Sequence, residues 1–467
     1  MKHTLQFLGA AENVTGSRYL FECDGTKIMV DCGLYQEREY QNRNWEDFGV
    51  VPAEVDAILL THAHLDHCGL IPRLAKQGFS GKIYCTPATA EIAKIVLLDA
   101  GKLQEEDAEY KQKRHRREGR KSPRPIEPLY TVEDAQKCLG LFSPVEFNKQ
   151  FSIGGVQATF HEAGHILGAS IIRLQCALNG QKRTIIFTGD LGRSNKPIIR
   201  DPQVFQQTDY LLVESTYGDR EHQNVQDTKE QLARAVNETY KAGGNIVVPS
   251  FSIERSQEVL YYMNQLLMED RIPHIMTFLD SPMAVKVTEV FEKHPELYDD
   301  KMRELMSQNE SPFSFKGLKK VQSTRESKAI NNIRGTIMII AGSGMCTGGR
   351  IKHHLVNNIT RPESTILFVG YQAAGTLGRQ ILDGQPEVRI LGQMYPVRSR
   401  IERVHGFSAH ADRKEILEWL GNLKKAPKKI FVVHGEKDAA ASFRDYLAEK
   451  TGWDVMVAKY KQQVEIT

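Results

Sequence analysis

The segment Thr61-His62-Ala63-His64-Leu65-Asp66-His67 packs three imidazoles and a carboxylate into a few residues. Imidazole nitrogen and carboxylate oxygen together suit zinc or a similar borderline divalent ion. Alternate residues at a strand end point the same way, so His62 and His64 can share one ion. The chain then turns, and Asp66 and His67 can reach a second ion nearby. A histidine run that is merely solvated or packed in a core needs no such spacing. The pattern reads as the start of a two-metal hydrolase site.

Two more ligand candidates lie downstream. His161-Glu162-Ala163-Gly164-His165 formally fits the H-E-x-x-H motif of zinc proteases, which works only on a helix that brings both histidines to one face. Here Gln157–Phe160 alternates like a strand, and Gly154, Gly155, Gly164 and Gly168 oppose a helix. The protease reading therefore fails; His165 is taken as a ligand and His161 as structural. Asp190, in Phe187-Thr188-Gly189-Asp190, follows an apolar strand and is well placed to bridge two ions. Alone it would say little; beside the histidine cluster it gains weight.

The elements that must position these residues are short strands at first. Asp24-Gly25 between Phe21–Cys23 and Ile28–Val30 is a hairpin signal, because both turn residues tolerate positive φ. Val55–Leu60 delivers the histidine cluster, and a helical pattern runs from Pro87 to about Arg117, stopped by Pro123 and Pro125. Strands are expected at Val156–Phe160, Ile171–Cys176, Thr184–Phe187 and Tyr210–Val213. Near residue 219 the rhythm changes: helical patterns at about 226–241, 254–268 and 283–293 alternate with buried-strand patterns at Ile246–Val248 and Ile337–Ile340. Such alternation describes a mostly parallel α/β domain. Strands Ile401–Val404 and Ile430–Val433 then bring back histidine-containing loops. The expected organisation is one domain formed by 1–218 and 399–467, interrupted by an inserted α/β domain at 219–398.

Composition sets limits on this reading. A 467-residue chain exceeds the usual size of one domain, and 41% hydrophobic residues suffice for sizeable cores. The net charge of +3 does not demand a polyanionic partner, so a basic surface would have to be local. One candidate is the tract Lys111–Arg124, with eight Lys or Arg against the single acid Glu118; it reads either as an RNA-steering surface or as a solvated helix end. No signal-peptide pattern and no apolar run of about 18 residues is seen, so no membrane association is expected. Seven scattered cysteines without C-x-x-C argue against a disulfide framework and for a cytoplasmic protein.

Together, Asp31, His62-x-His64-x-Asp66-His67, His165 and Asp190 resemble the first four motifs of the metallo-β-lactamase fold. Glu214 in Val213-Glu214-Ser215-Thr216-Tyr217-Gly218, His410 in Phe407-Ser408-Ala409-His410-Ala411-Asp412 and His434 in Val433-His434-Gly435-Glu436 resemble the three further motifs of the β-CASP nucleases. The likeness covers essentially the whole chain and is greatest to the 3′-end-processing endonuclease of the cleavage and polyadenylation complex and its prokaryotic relatives. It implies an α/β protein: an αββα sandwich with an inserted β-CASP domain whose parallel sheet is flanked by helices. It also implies two Zn2+ ions per chain, one on His62, His64 and His165, the other on Asp66, His67 and His434, with Asp190 bridging. Asp31 would orient a ligand histidine, although it could equally cap the Gly33 turn. Asp66, Asp190, Glu214 and His410 would be the catalytic set, with His410 as general acid held by Glu214; His405 is assigned to packing.

The implied activity is a zinc-dependent RNA nuclease, endonucleolytic and also 5′→3′ exonucleolytic, acting on single-stranded RNA by two-metal catalysis to leave 5′-phosphate and 3′-hydroxyl ends. Gly342-Ser343-Gly344-Met345-Cys346-Thr347-Gly348-Gly349-Arg350 follows the strand pattern Ile337–Ile340. Its backbone N–H groups could form an anion nest, which makes Ser343, Gly344, Thr347, Gly348, Gly349 and Arg350 candidate phosphate-binding residues. Arg255 and Arg379 are weaker candidates of the same kind. A DNA-directed β-CASP nuclease is the first alternative, disfavoured because such relatives typically carry valine where this chain has His434. A lactamase-like hydrolase of small molecules would not need the insertion. A non-catalytic scaffold subunit would have lost ligands that are all present here. A homodimer is compatible with the sequence.

Overall fold

The hairpin at Asp24-Gly25 forms as its residue types dictate, with φ of 49° and 83° at the two turn positions and Cys23 paired with Thr26. The computed structural model describes residues 3–119, 122, 125–178, 180–222, 228–308, 311–373 and 375–467. Chain contacts divide it into two compact units. One comprises Met1–Lys196, Arg200–Glu221 and Ala409–Thr467; the other comprises Pro197–Ile199 and His222–Ser408.

The first unit contains two seven-stranded sheets. In one, the strands run in the order Gln463–Glu465, Thr4–Phe7, Tyr19–Cys23, Thr26–Val30, Ala57–Leu59, Lys82–Cys85 and Phe142–Pro144. In the other, the order is Val455–Val457, Lys429–Val433, Tyr210–Glu214, Gln181–Phe187, Ser170–Leu178, Val156–Glu162 and Phe151–Ile153. Each sheet is antiparallel over one half and parallel over the other. Their apolar faces meet in one core: the Phe7 and Phe431 rings lie 5.3 Å apart, and those of Tyr19 and Phe187 lie 6.3 Å apart. Strands such as Ala57–Leu59 and Tyr210–Glu214 are buried along their whole length, because helices cover the outer faces in the parallel halves. Helix Lys437–Thr451 packs on Lys429–Val433 and Val455–Val457. Among the described residues no helix is long and apolar enough to cross a membrane.

Helix Pro87–Glu118 starts where Thr86 accepts the Thr89 N–H and Pro87 fills the first turn. It ends because Gly119 turns left-handed at φ 63°, ahead of the prolines expected to stop it. Pro123, with Arg120, Lys121 and Arg124 of the basic tract, lies outside the described residues. Within the described part, Lys111 pairs with Asp107 at 2.5 Å, Lys113 with Glu109, and Arg114 with Glu118 at 3.0 Å. Asp107 and Glu109 one turn upstream of their partners, and Glu118 one turn downstream of Arg114, thus offset part of the tract's charge.

The second unit is built on a parallel sheet in the order Leu318–Lys320, Met276–Leu279, Ile337–Ala341, Ile246–Pro249, Thr365–Phe368 and Arg400–Arg403. Its connections include helices Thr228–Ala242, Arg255–Met268, Pro282–Lys293 and Ile351–Asn358. Strand Arg400–Arg403, placed by the sequence reading in the carboxy-terminal segment 399–467, pairs instead with Thr365–Phe368, and this unit runs to Ser408. The strand itself was legible; the sheet that takes it up was not.

Because the sandwich core is shared by both sheets, truncating a ring at its centre should be felt by the whole first unit. Phe7→Ala is expected to lower unfolding free energy by about 3–5 kcal/mol, read from denaturant midpoints at unchanged m-value.

Candidate metal centre and its surroundings

Every donor at the centre leaves the carboxyl end of a strand or the loop that follows it. His62–His67 follow Ala57–Leu59, His165 lies between Val156–Glu162 and Ser170–Leu178, and Asp190 follows Gln181–Phe187. Glu214 closes its strand and pairs in parallel with Val433, so His434 emerges beside Ser215. The two sheets are tied together here: the Ser170 N–H and Oγ–H both donate to Thr61 O, at 2.9 and 3.0 Å. Two glycines permit the close approach of loops. A Cβ on Gly33 would stand 1.6 Å from Asp66 O, and one on Gly192 would stand 1.7 Å from Gly164 O.

The ring nitrogens form two groups. In the first, His62 Nε2 and His165 Nε2 lie 3.1 and 3.3 Å from His64 Nδ1, and each lies 3.4 Å from Asp190 Oδ2. In the second, His67 Nε2 and His434 Nε2 are 3.1 Å apart and lie 3.2 and 3.5 Å from Asp190 Oδ1. Asp66 Oδ2 completes this group, 3.5 Å from His434 Nε2. Asp190 therefore presents one oxygen to each group. These spacings match the edges, about 3.3 Å, of a tetrahedron of N and O ligands around a divalent ion.

Hydrogen bonding at the outer nitrogens fixes which face of each ring looks inward. His67 Nδ1–H donates to Asp31 Oδ2 at 2.7 Å, and Asp31 also accepts the Thr61 N–H at 2.8 Å. Thr61 Oγ1 gives its proton to Asp31 and accepts from His62 Nδ1 at 3.1 Å. Thr216 Oγ1 does the same for His434, donating to its carbonyl at 3.2 Å and accepting from Nδ1 at 3.1 Å. With Nδ1 protonated on all three rings, the Nε2 lone pairs point into the centre, as metal ligation requires. Asp31 thus orients a histidine; the Gly33 N–H goes to Ser17 O, so the alternative cap is not made.

The charge balance also calls for a cation. Burial holds His62 and His64 neutral, with pKa values pushed down to about 3 and about 4, and pushes His165 well below its usual value. Burial disfavours charge on Asp66 and Asp190 too, yet neighbouring imidazoles outweigh it and hold both carboxyls below the usual range. The same carboxylates draw protons onto His67 and His434 against the cost of burial. Asp190 Oδ1 is buried without a hydrogen-bond donor among the described residues. A divalent ion would take the place of those imidazolium protons among the converging ring nitrogens and carboxylates, so the residues present fit the metals that the sequence implied.

His410 sits at the edge of this centre. Its Nδ1 donates to Glu214, 3.0 Å from each carboxylate oxygen, and its Nε2 lies 3.9 Å from Asp190 Oδ2. Glu214 is fully buried and is itself held by the Leu191 N–H at 2.6 Å. Burial opposes the charged ring, but Glu214 and Asp190 prevail and raise the His410 pKa to about 9. His161, in contrast, turns away from the centre to Asn148 Oδ1 at 2.7 Å, in a strand rather than a helix.

The glycine-rich loop departs from its expected use. Ser343 Oγ accepts the Thr347 and Gly348 N–H groups at 3.0 and 3.2 Å, so these two donors close the loop on itself. Arg350 turns inward to Asp280 Oδ1 at 2.6 Å and Gln322 O at 2.6 Å. Arg255 pairs with Glu258 over the Phe407 ring, and Arg379 pairs with Asp383 at 2.8 Å. These three arginines are braces in this conformation. Asp280, which also holds His354 Nε2 at 2.6 Å, escaped the sequence reading. Its signal was the same as that of Asp190, an acid just after an apolar strand. Thr61 and Thr216 were also missed, though each adjoins a residue already singled out.

Three family profiles match the chain: the metallo-beta-lactamase superfamily domain over 20–213, the Beta-Casp domain over 256–381, and the Zn-dependent metallo-hydrolase RNA specificity domain over 394–458. The chain is 36% identical over 458 residues to Ribonuclease TTHA0252 of Thermus thermophilus, covering 98% of this chain and 99% of that one. The chain belongs to the β-CASP branch of the metallo-β-lactamase superfamily. Another relative is the transcription termination factor FttA of Methanocaldococcus jannaschii, 30% identical over 455 residues, 94% of this chain and 68% of the relative. Among solved structures, a protein of unknown function from Enterococcus faecalis V583 matches with a TM-score of 0.56 at 13% identity over the full length of both chains, which bears on the fold alone. The β-CASP chain carries the donor sets described above, and its metal-hydrolase class agrees with them.

The Thr216 hydroxyl holds His434 by its carbonyl and by the ring's outer nitrogen, away from the centre. Thr216→Ala should therefore weaken metal retention by about 10–100-fold while leaving the fold intact, measured by competition with a chelator and by circular dichroism.

Proposed function

We infer that this chain is a metal-dependent ribonuclease that hydrolyses phosphodiester bonds of single-stranded RNA, endonucleolytically and also from the 5′ end, leaving 5′-phosphate and 3′-hydroxyl termini. The observation that carries the reading is the position of Asp190, one oxygen toward each donor group, with His410 beside it. Support for RNA comes from the RNA specificity profile and from the ribonuclease that the chain resembles from end to end. The DNA-directed alternative loses ground because His434 points its Nε2 into the second donor group. The scaffold alternative would predict a depleted site, and none of the donor residues is missing.

The proposed ligand sets are His62, His64 and His165 for one Zn2+ and Asp66, His67 and His434 for the other, with Asp190 shared. When bound, such a pair supplies an acidified water and positive charge facing the phosphate oxygens. The remaining work falls to the chain itself. Asp31, Thr61 and Thr216 lock the ligand rings in one tautomer. Glu214 keeps a proton on His410 Nδ1, so that Nε2 holds the proton delivered to the departing 3′-oxygen. The buried strand ends cover His62, His67, His165 and His434, whose side chains are 1–3% accessible, while His410 at 21% and Asp66 at 18% lie on the open edge of the centre. A phosphate-gripping role for Gly342–Arg350 would require Ser343 to release the Thr347 and Gly348 N–H groups.

End-labelled single-stranded RNA and DNA incubated with the wild type should show cutting of RNA. Asp190→Ala should abolish it, and His410→Ala should slow it by about 10²–10⁴-fold with metal content unchanged. Full activity in His410→Ala at neutral pH would overturn the assigned acid, and cutting of DNA alone would overturn the substrate.

His410 acts in its protonated form, so the rate should fall as pH rises through its pKa. Because Glu214 stabilises the imidazolium, Glu214→Gln should move the alkaline limb of the pH–rate profile to lower pH. An unmoved alkaline limb would remove Glu214 from that role.

A further inference from the structure

The carboxyl ends of the second unit's parallel strands carry two aromatic rings that the metal centre does not use. Strands Ile246–Pro249 and Thr365–Phe368 are neighbours, about 4.8 Å apart, with Ile246 opposite Thr365. Phe251 stands just beyond the first strand and Tyr371 just beyond the second, and each is 40% exposed. The other exposed large apolar side chains described in this unit lie elsewhere. Tyr240, Met268 and Met276 are at the amino ends of the strands, and Leu391 and Met394 are on the hairpin of Glu387–Ile390 with Gln393–Pro396.

Neither ring is loosely held. Phe251 lies against the Gly344 backbone, where a Cβ would stand 2.7 Å from its Cδ2, and a Cβ on Gly370 would stand 3.6 Å from its Cε2. The Phe251 carbonyl accepts both the N–H and the Oγ–H of Ser256, at 3.2 and 2.7 Å. Buried Gln372 donates from Nε2 to Tyr371 O at 3.0 Å and to Gly344 O at 2.9 Å, which ties the loop of the second ring to the backing of the first. One side of Phe251 is thus filled by backbone while the other is open. A single exposed ring calls for no explanation. Two braced rings at the ends of adjacent strands fix apolar area in water at one place.

Their surroundings select the occupant. The Ser252 and Ser281 hydroxyls lie 3.2 Å apart beside Gly342, and those of Ser343 and Thr347 lie 3.1 Å apart. A protein-docking patch would continue the rings with further large apolar side chains. Hydroxyls and glycine backbone instead suit the flat faces and polar edges of nucleotides. Ligands of open parallel sheets gather outside the carboxyl ends of the strands, where these rings stand. We propose that Phe251 and Tyr371 form a stacking shelf for the bases of single-stranded RNA on the β-CASP insertion. The shelf rests on the ribonuclease reading above and adds to it a place for the bases of the substrate. Stacking accepts every base, so the shelf supplies affinity without sequence preference.

The test measures binding by the full chain carrying His410→Ala, which slows cutting, to an oligoribonucleotide containing 2-aminopurine, whose fluorescence is quenched on stacking. Adding Phe251→Ala should raise Kd by about 5–150-fold and remove the quench. The salt dependence of binding should stay unchanged, because no phosphate contact is lost. Tyr371→Ala should weaken binding in the same sense. Phe251→Trp should keep affinity and quench, whereas Phe251→Leu, apolar but without a π face, should lose both. Equal affinity of Phe251→Ala and its parent, or leucine serving as well as phenylalanine, refutes the shelf and leaves the ribonuclease reading standing if wild type cuts RNA. Wild type that does not cut RNA overturns both.

Discussion

Asp190 is a carboxylate buried to within 2% of completeness and flanked on each oxygen by imidazole nitrogens. An anion in such surroundings costs several kcal/mol unless countercharge is brought within contact distance. Much of the first unit is arranged around that demand. Strand Gln181–Phe187 runs parallel to Tyr210–Glu214, which runs parallel to Lys429–Val433, so three consecutive strand ends deliver Asp190, Glu214 and His434 side by side. The other sheet supplies the remaining donors from the end of Ala57–Leu59, and the Ser170–Thr61 hydrogen bonds hold the two supplies in register.

A consequence is that side chains which never face the centre are as necessary as those that do. Asp31, Thr61 and Thr216 act on outer ring nitrogens, and Leu191 acts on Glu214 through its backbone N–H. Each removes a rotational or tautomeric freedom that a donor would otherwise have to lose on meeting a cation. Gly33 and Gly192 contribute by having no side chain, since the carbonyls of Asp66 and Gly164 occupy the space where a Cβ would be.

What could be read from the sequence follows from which interactions are local. The spacing His62–His67 is local, and its meaning survived intact because a strand end followed by a one-turn helix fixes where four side chains point. The rejection of a zinc-protease helix at His161–His165 rested on glycines and alternation, again local signals, and strand Val156–Glu162 carries it out. His434 is different: a lone histidine after an apolar strand has no local signature. It was found through resemblance, and its place depends on a strand pairing between Val433 and Glu214. The same non-locality hid Asp280, which decides that Arg350 faces inward, and misplaced Arg400–Arg403, whose mostly charged sequence does not say which sheet it will join. The tract after Lys111 was counted in a window that opens just past Asp107 and Glu109, the acids that pair with Lys111 and Lys113.

The pairing of Tyr210–Glu214 with Lys429–Val433 bears on how the protein is made. These neighbours in the sheet are separated in the chain by the His222–Ser408 part of the second unit, so a ribosome delivers the centre in two instalments. His62, His64, Asp66, His67, His165 and Asp190 emerge first; His410 follows only 220 residues after Asp190. At about 5–20 residues per second this is an interval of roughly 10–45 s. Throughout it the nascent chain has most of the proposed ligands but neither His410, the proposed proton donor, nor His434. The proposed centre is thus incomplete for as long as that interval lasts.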